Sequence, residues 1–261
     1  MMEKYDALII GAGVVGNAIA RELSRYRIDI AVLEKDLDVG MGTSCRNSGV
    51  LHSGIHYRPG TLRARLNVQG NDLMGNLCSE LNVKIQYIGK LTVAKDGIDL
   101  ETLHALKEQG EANGVPGLEI LNKDQMRKKQ PGVGGIQALW SPTTGIICPY
   151  GLTIALAENA QTNGVSFHLG HEVKGIEQKK GMFRVQTGTG KVFETSLLIN
   201  SAGLYSDRIC RMLGIDEHTI YPCKGEYLIL DKRLEGSLSV LVYPAPRKGG
   251  AGLGIHLTNT V

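Results

Sequence analysis

Six residues near the amino terminus, Gly11-Ala12-Gly13-Val14-Val15-Gly16, restrict what this chain can fold into more than any other segment. They stand between an apolar run, Tyr5 to Ile10, and a stretch with helical spacing, Val14 to Tyr26. A short run that is apolar throughout reads as a strand buried on both faces. In that setting each glycine has a task. Gly11 permits the tight turn, Gly13 lets a pyrophosphate approach the backbone, and Gly16 lets the helix pack closely on the sheet. Val14 and Val15 open a helix whose free N–H groups face the phosphates. A second apolar strand, Ile28 to Leu33, runs into Glu34 and Lys35. Glu34 lies 18 positions after Gly16. A carboxylate there accepts hydrogen bonds from the adenosine ribose and repels a 2′-phosphate. The chain is therefore expected to bind a dinucleotide, FAD or NAD rather than NADP.

Composition fits that reading. Glycine supplies 34 of 261 residues, against a usual share of about 7%. Such an excess suits tight turns and backbone lying against a ligand. The net charge of +3 leaves no electrostatic footprint for nucleic acid, which is not expected as a partner. The five cysteines, Cys45, Cys78, Cys148, Cys210 and Cys223, include no Cys-x-x-Cys pair. A disulfide framework, a zinc site or an iron–sulfur site is not expected, and a reducing cytoplasm is the better expectation. No segment approaches the roughly 20 apolar residues of a membrane span; attachment at the membrane periphery stays open.

Between the nucleotide features the pattern changes. Asp36 to Gly60 is irregular and rich in Gly, Ser, Thr and Asn; a structureless stretch of that length is usually functional or disordered, and His52, His56, Tyr57 and several apolar residues favour function here. Helical spacing returns over Thr61 to Leu81, Leu100 to Ala112, Asn122 to Gln130 and Pro149 to Asn163, with a strand over Lys84 to Ala94 turning near Ile88-Gly89. Strands are then expected at Val165 to His168, His171 to Gln178, Met182 to Thr187, Val192 to Phe193 and Ser196 to Asn200. After a short helix at Ser206 to Leu213 come strands at Gly225 to Leu230 and Leu238 to Tyr243, with another starting at Gly254.

The segment Thr43-Ser44-Cys45-Arg46-Asn47-Ser48-Gly49-Val50-Leu51-His52-Ser53-Gly54-Ile55-His56-Tyr57 decides between the two dinucleotides. A plain NAD dehydrogenase would place a second crossover helix soon after Glu34; a long polar loop stands here instead. Such a loop can run beneath an isoalloxazine ring and bring Thr43, Ser44, Asn47, Ser48 and Gly49 against the diphosphate and flavin edges. This stretch resembles the FAD-dependent oxidoreductases of the D-amino-acid oxidase-like superfamily. Within it, the chain is similar to the L-2-hydroxyglutarate dehydrogenase/oxidase branch, with glycerol-3-phosphate dehydrogenases as near relatives of the same pattern. The resemblance continues through Gly89-Lys90-Leu91-Thr92-Val93-Ala94, Ser201-Ala202-Gly203-Leu204-Tyr205-Ser206-Asp207, Lys224-Gly225-Glu226-Tyr227, Tyr243-Pro244 and Gly254-Ile255-His256-Leu257-Thr258. It implies that the Ala202-Gly203 turn closes over FAD, with Val173 near the adenine. It also implies that relatives continue beyond the Gly254–Thr258 strand. The 261 residues are thus expected to be a C-terminally truncated copy with weaker FAD retention and lower activity. A chain that purifies yellow with stoichiometric FAD and full turnover would contradict this expectation.

Removing hydride from a secondary alcohol is easier when a base takes the hydroxyl proton, and histidine suits that task near neutral pH. His52, His56 and His256 are the candidates, the first two in the loop and the third on a late strand. His104, His168, His171 and His218 read as structural. An anionic substrate needs a cation, best a forked arginine. Arg58, Arg63, Lys224 and Arg247 are candidates, with Tyr57 and Tyr243 as orienting hydroxyls.

The expected fold class is α/β: a three-layer Rossmann-like FAD-binding domain (residues 1–80 and 145–215) interleaved with a mixed β-sheet substrate domain (81–144 and 216–261). The leading expected function is oxidation of an L-2-hydroxy acid, foremost L-2-hydroxyglutarate, to the 2-oxo acid by hydride transfer to flavin N5. Alternatives are sn-glycerol-3-phosphate dehydrogenation, a pyridine-nucleotide dehydrogenase, and an inert FAD-binding module. The electron acceptor stays open among oxygen, a quinone and a partner flavoprotein.

Overall fold

A computed structural model of the protein describes residues 2–247 and 254–261, and the chain passes twice through each of two units. The first pass builds β1 (Met2–Ile10), α1 (Val14–Leu23) and β2 (Ile30–Leu33). The second runs through β3 (Val50–Leu51), α2 (Leu62–Glu80), β4 (Ile85–Gln86), β5 (Lys90–Ala94), α3 (Gly97–Ala112), β6 (Glu119–Asn122), α4 (Lys123–Lys129), β7 (Gln137–Ser141) and β8 (Gly145–Ile147). The chain then returns with α5 (Pro149–Thr162), β9 (Ser166–His168), β10 (Val173–Lys179), β11 (Met182–Thr187), β12 (Val192–Asn200) and α6 (Ser206–Arg211). Near the end it contributes β13 (Leu241–Pro244).

The first unit comprises Met1–Asn47 and Pro149–Glu226. Its six-stranded sheet has the order β10-β11-β12-β1-β2-β9. The β12-β1-β2-β9 portion is parallel, and β10, β11 and β12 are joined antiparallel. Residues 7–10 and 30–33 are buried throughout, as parallel strands covered on both faces must be. Alternation sends them to opposite cores. Ala7 and Ile9 meet Ala20, Ile30, Val32, Ala160 and Val165 on the α1/α5 side. Leu8 and Ile10 meet Leu33, Val173, Ile176, Val185, Phe193 and Ile209 on the other. Each buried Leu, Ile or Phe contributes about 1.5–3 kcal/mol. The expected three-layer α/β arrangement is thereby present.

The second unit comprises Ser48–Cys148 and Tyr227–Val261. Its larger sheet has the order β13-β5-β7-β6, and a small sheet has the order β3-β8-β4. β5 is central, parallel to β13 and antiparallel to β7, and all five of its residues are buried. One core contains Ile55, Ala94, Leu103, Leu106 and Leu139; a second contains Leu91, Val93, Met126 and Ala138.

The expected elements differ from the observed ones in several places. The segment 48–80, read with the nucleotide half, packs with the second unit: β3 pairs with β8, and the Asn71 amide bonds the carbonyls of His52 and Thr143 at 3.2 and 2.9 Å. Residues 216–226 go the other way, and Ile220 N–H donates to Asp207 at 3.2 Å. The two strands expected between Val192 and Asn200 are one, held by β1 along its length. No strand forms over Gly225 to Leu230. Leu228 and Ile229 are fully exposed there, and no described strand offers them a ladder. Gly254 to Leu257 makes only a single bridge, Val242 to Leu257. β6, β7 and β8 were not expected, because each is short and none alternates cleanly between apolar and polar.

Candidate active site

In the first unit the glycine turn is built as its spacing requires. Gly11 has φ +102°, and a Cβ on it would sit 2.5 Å from the Ser201 carbonyl oxygen. A Cβ on Gly16 would sit 1.9 Å from the Gly11 carbonyl oxygen. The turn is therefore open only to residues without a side chain. Val14 N–H donates to Ser44 Oγ at 2.9 Å. The next two N–H groups, of Val15 and Gly16, have no acceptor among the described residues, and α1 has neither a side-chain cap nor an acidic first turn. Unsatisfied donors beside a cradle without side chains are what a diphosphate fills.

Glu34 directly follows β2 and is nearly buried. Its carboxylate accepts from Ala12 N–H at 2.8 Å and Asp36 N–H at 2.9 Å, which fixes the acid to the same turn. Lys35 is paired with Asp36 at 2.8 Å and lies 5.4 Å over the Tyr205 ring. Thr43 and Ser44 lie in a single 3-10 turn, Thr43–Cys45, and Asn47 bonds their carbonyl oxygens at 3.1 and 2.8 Å. Ala202 and Gly203 follow β12, and Ala202 lies against Gly11 of the glycine turn, where Ser201 hydrogen-bonds Ile10 O. Val173 buries its side chain in the core, so only its main chain is available to a ligand. Asp207, on α6, accepts from Arg208 N–H, Arg211 and Ile220 N–H; those bonds hold its carboxyl below the usual range, Ile220 contributing most.

The second unit contains Ser48 and Gly49, and it gathers the histidines. Residues 52–57 lack regular structure and are pinned from outside by amide groups. Gln109 bonds Ile55 O at 2.7 Å, and Asn113 bonds Gly54 O at 3.0 Å and Tyr57 O at 2.7 Å. Together with Asn71 on His52 O, these hold the loop in one shape. Asn113→Ala is expected to lower stability by about 1–3 kcal/mol, because it leaves two partly buried carbonyls unsatisfied. A urea unfolding curve checks this, and an unchanged midpoint would contradict it.

Two residues, His56 and Tyr243, meet a third that sequence reading missed. Lys90, 0% exposed, places Nζ 3.1 Å from His56 Nε2 and 5.1 Å from the Tyr243 ring centroid. His256 stacks on Tyr243 at 4.0 Å, with Nδ1 2.8 Å from Gly254 O. His52 belongs to the same loop as His56, its carbonyl held by Asn71, and the charges of Lys90 and His256 add to burial in lowering its proton affinity. No carboxylate neutralises Lys90 among the described residues. Burial lowers its ammonium to about 7. Burial first, then the positive Lys90, lowers His52 to about 4 and His56 to about 3. Burial also pushes the Tyr243 phenol up to about 12. Both histidines are thus neutral at physiological pH, with lone pairs available.

A pH dependence of stability follows. Between about pH 6.5 and 4 the unfolded chain binds protons on His52 and His56 that the folded chain does not, so stability falls as acid is added. The urea midpoint should drop across that window, and less so in His52→Asn/His56→Asn. An equal drop in the double variant would contradict this account.

The proposed cations are arranged differently from the expectation. Arg247 is committed to Asp96 and, at 3.0 Å, to Asp99. Lys224 is 82% exposed and pairs with Glu226 at 2.9 Å. Arg58 is exposed, and Arg63 lies 5.4 Å over the Tyr57 ring. None of the four joins the histidine cluster. The cation that does so is Lys90, whose signal was a lysine interrupting an otherwise buried strand, Lys90-Leu91-Thr92-Val93-Ala94. His168 and His171 pack edge-on to Phe193, and His104 and His218 are exposed.

Comparison with known proteins agrees with this architecture. The model of the family described as FAD dependent oxidoreductase matches residues 6–261. A glycerol 3-phosphate dehydrogenase of Caloramator mitchellensis is 42% identical over 98% of this chain and 53% of its own length. An L-2-hydroxyglutarate dehydrogenase of Escherichia coli K12 is 34% identical over 98% of this chain and 61% of its own. The chain thus spans little more than half the length of these relatives. An L-alpha-glycerophosphate oxidase from Mycoplasma pneumoniae, solved with FAD bound, superposes with a TM-score of 0.82 at 29% identity, over 96% of this chain and 67% of that one. Among the described residues no helix is long and apolar enough to cross a membrane. The chain belongs to the FAD dependent oxidoreductase family.

Proposed function

We propose that this chain takes part in oxidising a secondary alcohol on a small anion, with L-2-hydroxyglutarate foremost, to the corresponding oxo compound. The observation that carries the reading is the cluster of half-buried His52 and His56 with the fully buried Lys90: neutral imidazoles that accept a proton, beside an amine that no carboxylate among the described residues holds charged. FAD, when bound, supplies the two-electron acceptor for the hydride leaving the carbon. Gly11, Gly13 and the free N–H groups of Val15 and Gly16 would hold its diphosphate, with Val14, whose N–H is held by Ser44, opening the helix beside them. Glu34 would hold its ribose, and Thr43, Ser44, Asn47, Val173, Ala202 and Gly203 of the same unit would contact the rest. In the second unit an imidazole takes the hydroxyl proton, which makes the alcohol carbon a better hydride donor. Tyr243, whose phenol stays protonated, donates a hydrogen bond, and Tyr57 orients the anion.

A second reading, oxidation of sn-glycerol 3-phosphate to dihydroxyacetone phosphate, is favoured by the 42% identity to the Caloramator mitchellensis protein. Both substrates are anions bearing a secondary hydroxyl, so the same cluster serves either. Anaerobic addition of each to the FAD-loaded protein separates the two readings by which one bleaches the flavin. Return of colour with oxygen, a quinone or a partner flavoprotein then identifies the acceptor.

A further inference from the structure

We propose that Lys90 is the proton store behind His56: the substrate's hydroxyl proton enters His56 at Nδ1 while the proton on Nε2 passes to the Lys90 amine, so that the two side chains act as one base. The inference rests on the reading that this unit handles a hydroxyl proton, and it deepens that reading.

Geometry carries the argument. Lys90 Nζ lies 3.1 Å from His56 Nε2, within hydrogen-bond distance. A neutral amine there accepts the Nε2–H, which leaves the Nδ1 lone pair free, and Nδ1 has no hydrogen-bond partner among the described residues. An ammonium in the same place donates to Nε2 and puts the imidazole proton on Nδ1, which closes the base. The two protonation states of Lys90 therefore switch His56 between competent and blocked forms, as a hydrogen bond on one ring nitrogen sets the other.

Every group facing Lys90 bears on that switch. Among the described residues, His56 from the pinned loop and Tyr243 from β13 contact Lys90, His52 feels its charge, and His256 stacks on Tyr243; none is an acid that would lock the ammonium on. The Tyr243 ring 5.1 Å away gives the ammonium a partial partner once it forms. Burial lowers the amine to about 7, which poises it to exchange a proton near neutral pH. The proton count closes: the alcohol loses one proton, Lys90 gains one, and His56 is neutral before and after, with its proton moved from Nε2 to Nδ1. The hydride and its electron pair go to the flavin.

The first test needs no substrate. In the FAD-loaded protein, the Lys90 ε-carbon and the His56 ring nitrogens are followed by NMR against pH. The expected result is one step near pH 7 shared by both residues, with the His56 proton moving from Nδ1 to Nε2 as pH rises. In Lys90→Met the His56 step should vanish. A Lys90 that stays charged well above pH 9, or a His56 tautomer that is unchanged in Lys90→Met, would overturn the proposal. The second test is the rate of anaerobic flavin reduction. Its acid limb near pH 7 should be lost in Lys90→Met, with the plateau about 10²-fold lower and KM nearly unchanged, and Lys90→Gln should behave alike. A wild-type limb in both variants would equally overturn it. If neither L-2-hydroxyglutarate nor sn-glycerol 3-phosphate reduces the flavin, the functional reading fails by itself, and the NMR result still decides the coupling of Lys90 to His56.

Discussion

Gly16→Ala should yield a protein that has lost its grip on FAD. The added Cβ would meet the Gly11 carbonyl oxygen at 1.9 Å and Ser201 Oγ at 2.7 Å. The first of these is main chain inside the turn and cannot rotate away. Relief requires α1 to lift from the sheet, which pulls the Val14, Val15 and Gly16 N–H groups out of line and disturbs the packing around Ala7, Ile9 and Ala20. Overpacking of this kind destabilises by about 1–3 kcal/mol. Losing the aligned donors should weaken FAD by about 100-fold or more, since each charge-assisted hydrogen bond is worth about 1.5–3 kcal/mol. Quenching of flavin fluorescence on titration, together with a thermal melt, measures both effects. Gly42→Ala is the control: nothing lies within 4 Å of its would-be Cβ, and its φ of −87° suits any residue. Wild-type affinity in Gly16→Ala would remove the glycine turn from the account.

The second large effect is expected from His56→Gln. Glutamine keeps polarity and approximate size but cannot accept a proton, so flavin reduction by substrate should slow about 10²- to 10⁴-fold. FAD affinity should be unchanged, because the residues proposed to hold the cofactor's diphosphate and ribose lie in the other unit. His52→Gln should slow the reaction less, since His52 has no Lys90-like partner on its ring. Single-turnover absorbance of the flavin under anaerobic conditions reads both variants. A His56→Gln protein that reduces its flavin at the wild-type rate would transfer the base to His52 or His256.

The contrast between the two units shows what a sequence makes legible. Strand, glycine turn, helix and acid follow one another within Tyr5 to Glu34, so each step of that reading is local, and each glycine has its own steric reason. The histidine cluster is different. His52 and His56 could be read as chemistry, but their partner Lys90 is more than thirty residues away and Tyr243 more than a hundred and fifty beyond that. Only the β13-β5 register brings Tyr243 beside β5, pairing it with Thr92. Lys90 was passed over because a single lysine in a strand usually points to solvent; its meaning depends on β5 being covered on both faces. The arginines misled for the converse reason. Arg247 looks like an anion clamp until Asp96 and Asp99, from the start of α3, are seen to hold it. A helix's own sequence does not say which unit it joins; Asn71, with its two carbonyl partners, ties α2 to the second unit.

The His52–His56–Lys90 cluster is proposed to take a hydroxyl proton so that a small anionic alcohol can be oxidised by bound FAD. The most direct measurement of this step is a stopped-flow anaerobic half-reaction. FAD-loaded protein is mixed with L-2-hydroxyglutarate or with sn-glycerol 3-phosphate while the flavin absorbance is followed. The account predicts bleaching by one of the two, at a rate that rises through about pH 7 and collapses in His56→Gln. Stoichiometric FAD that stays oxidised with both substrates, or bleaching indifferent to His56, would contradict it.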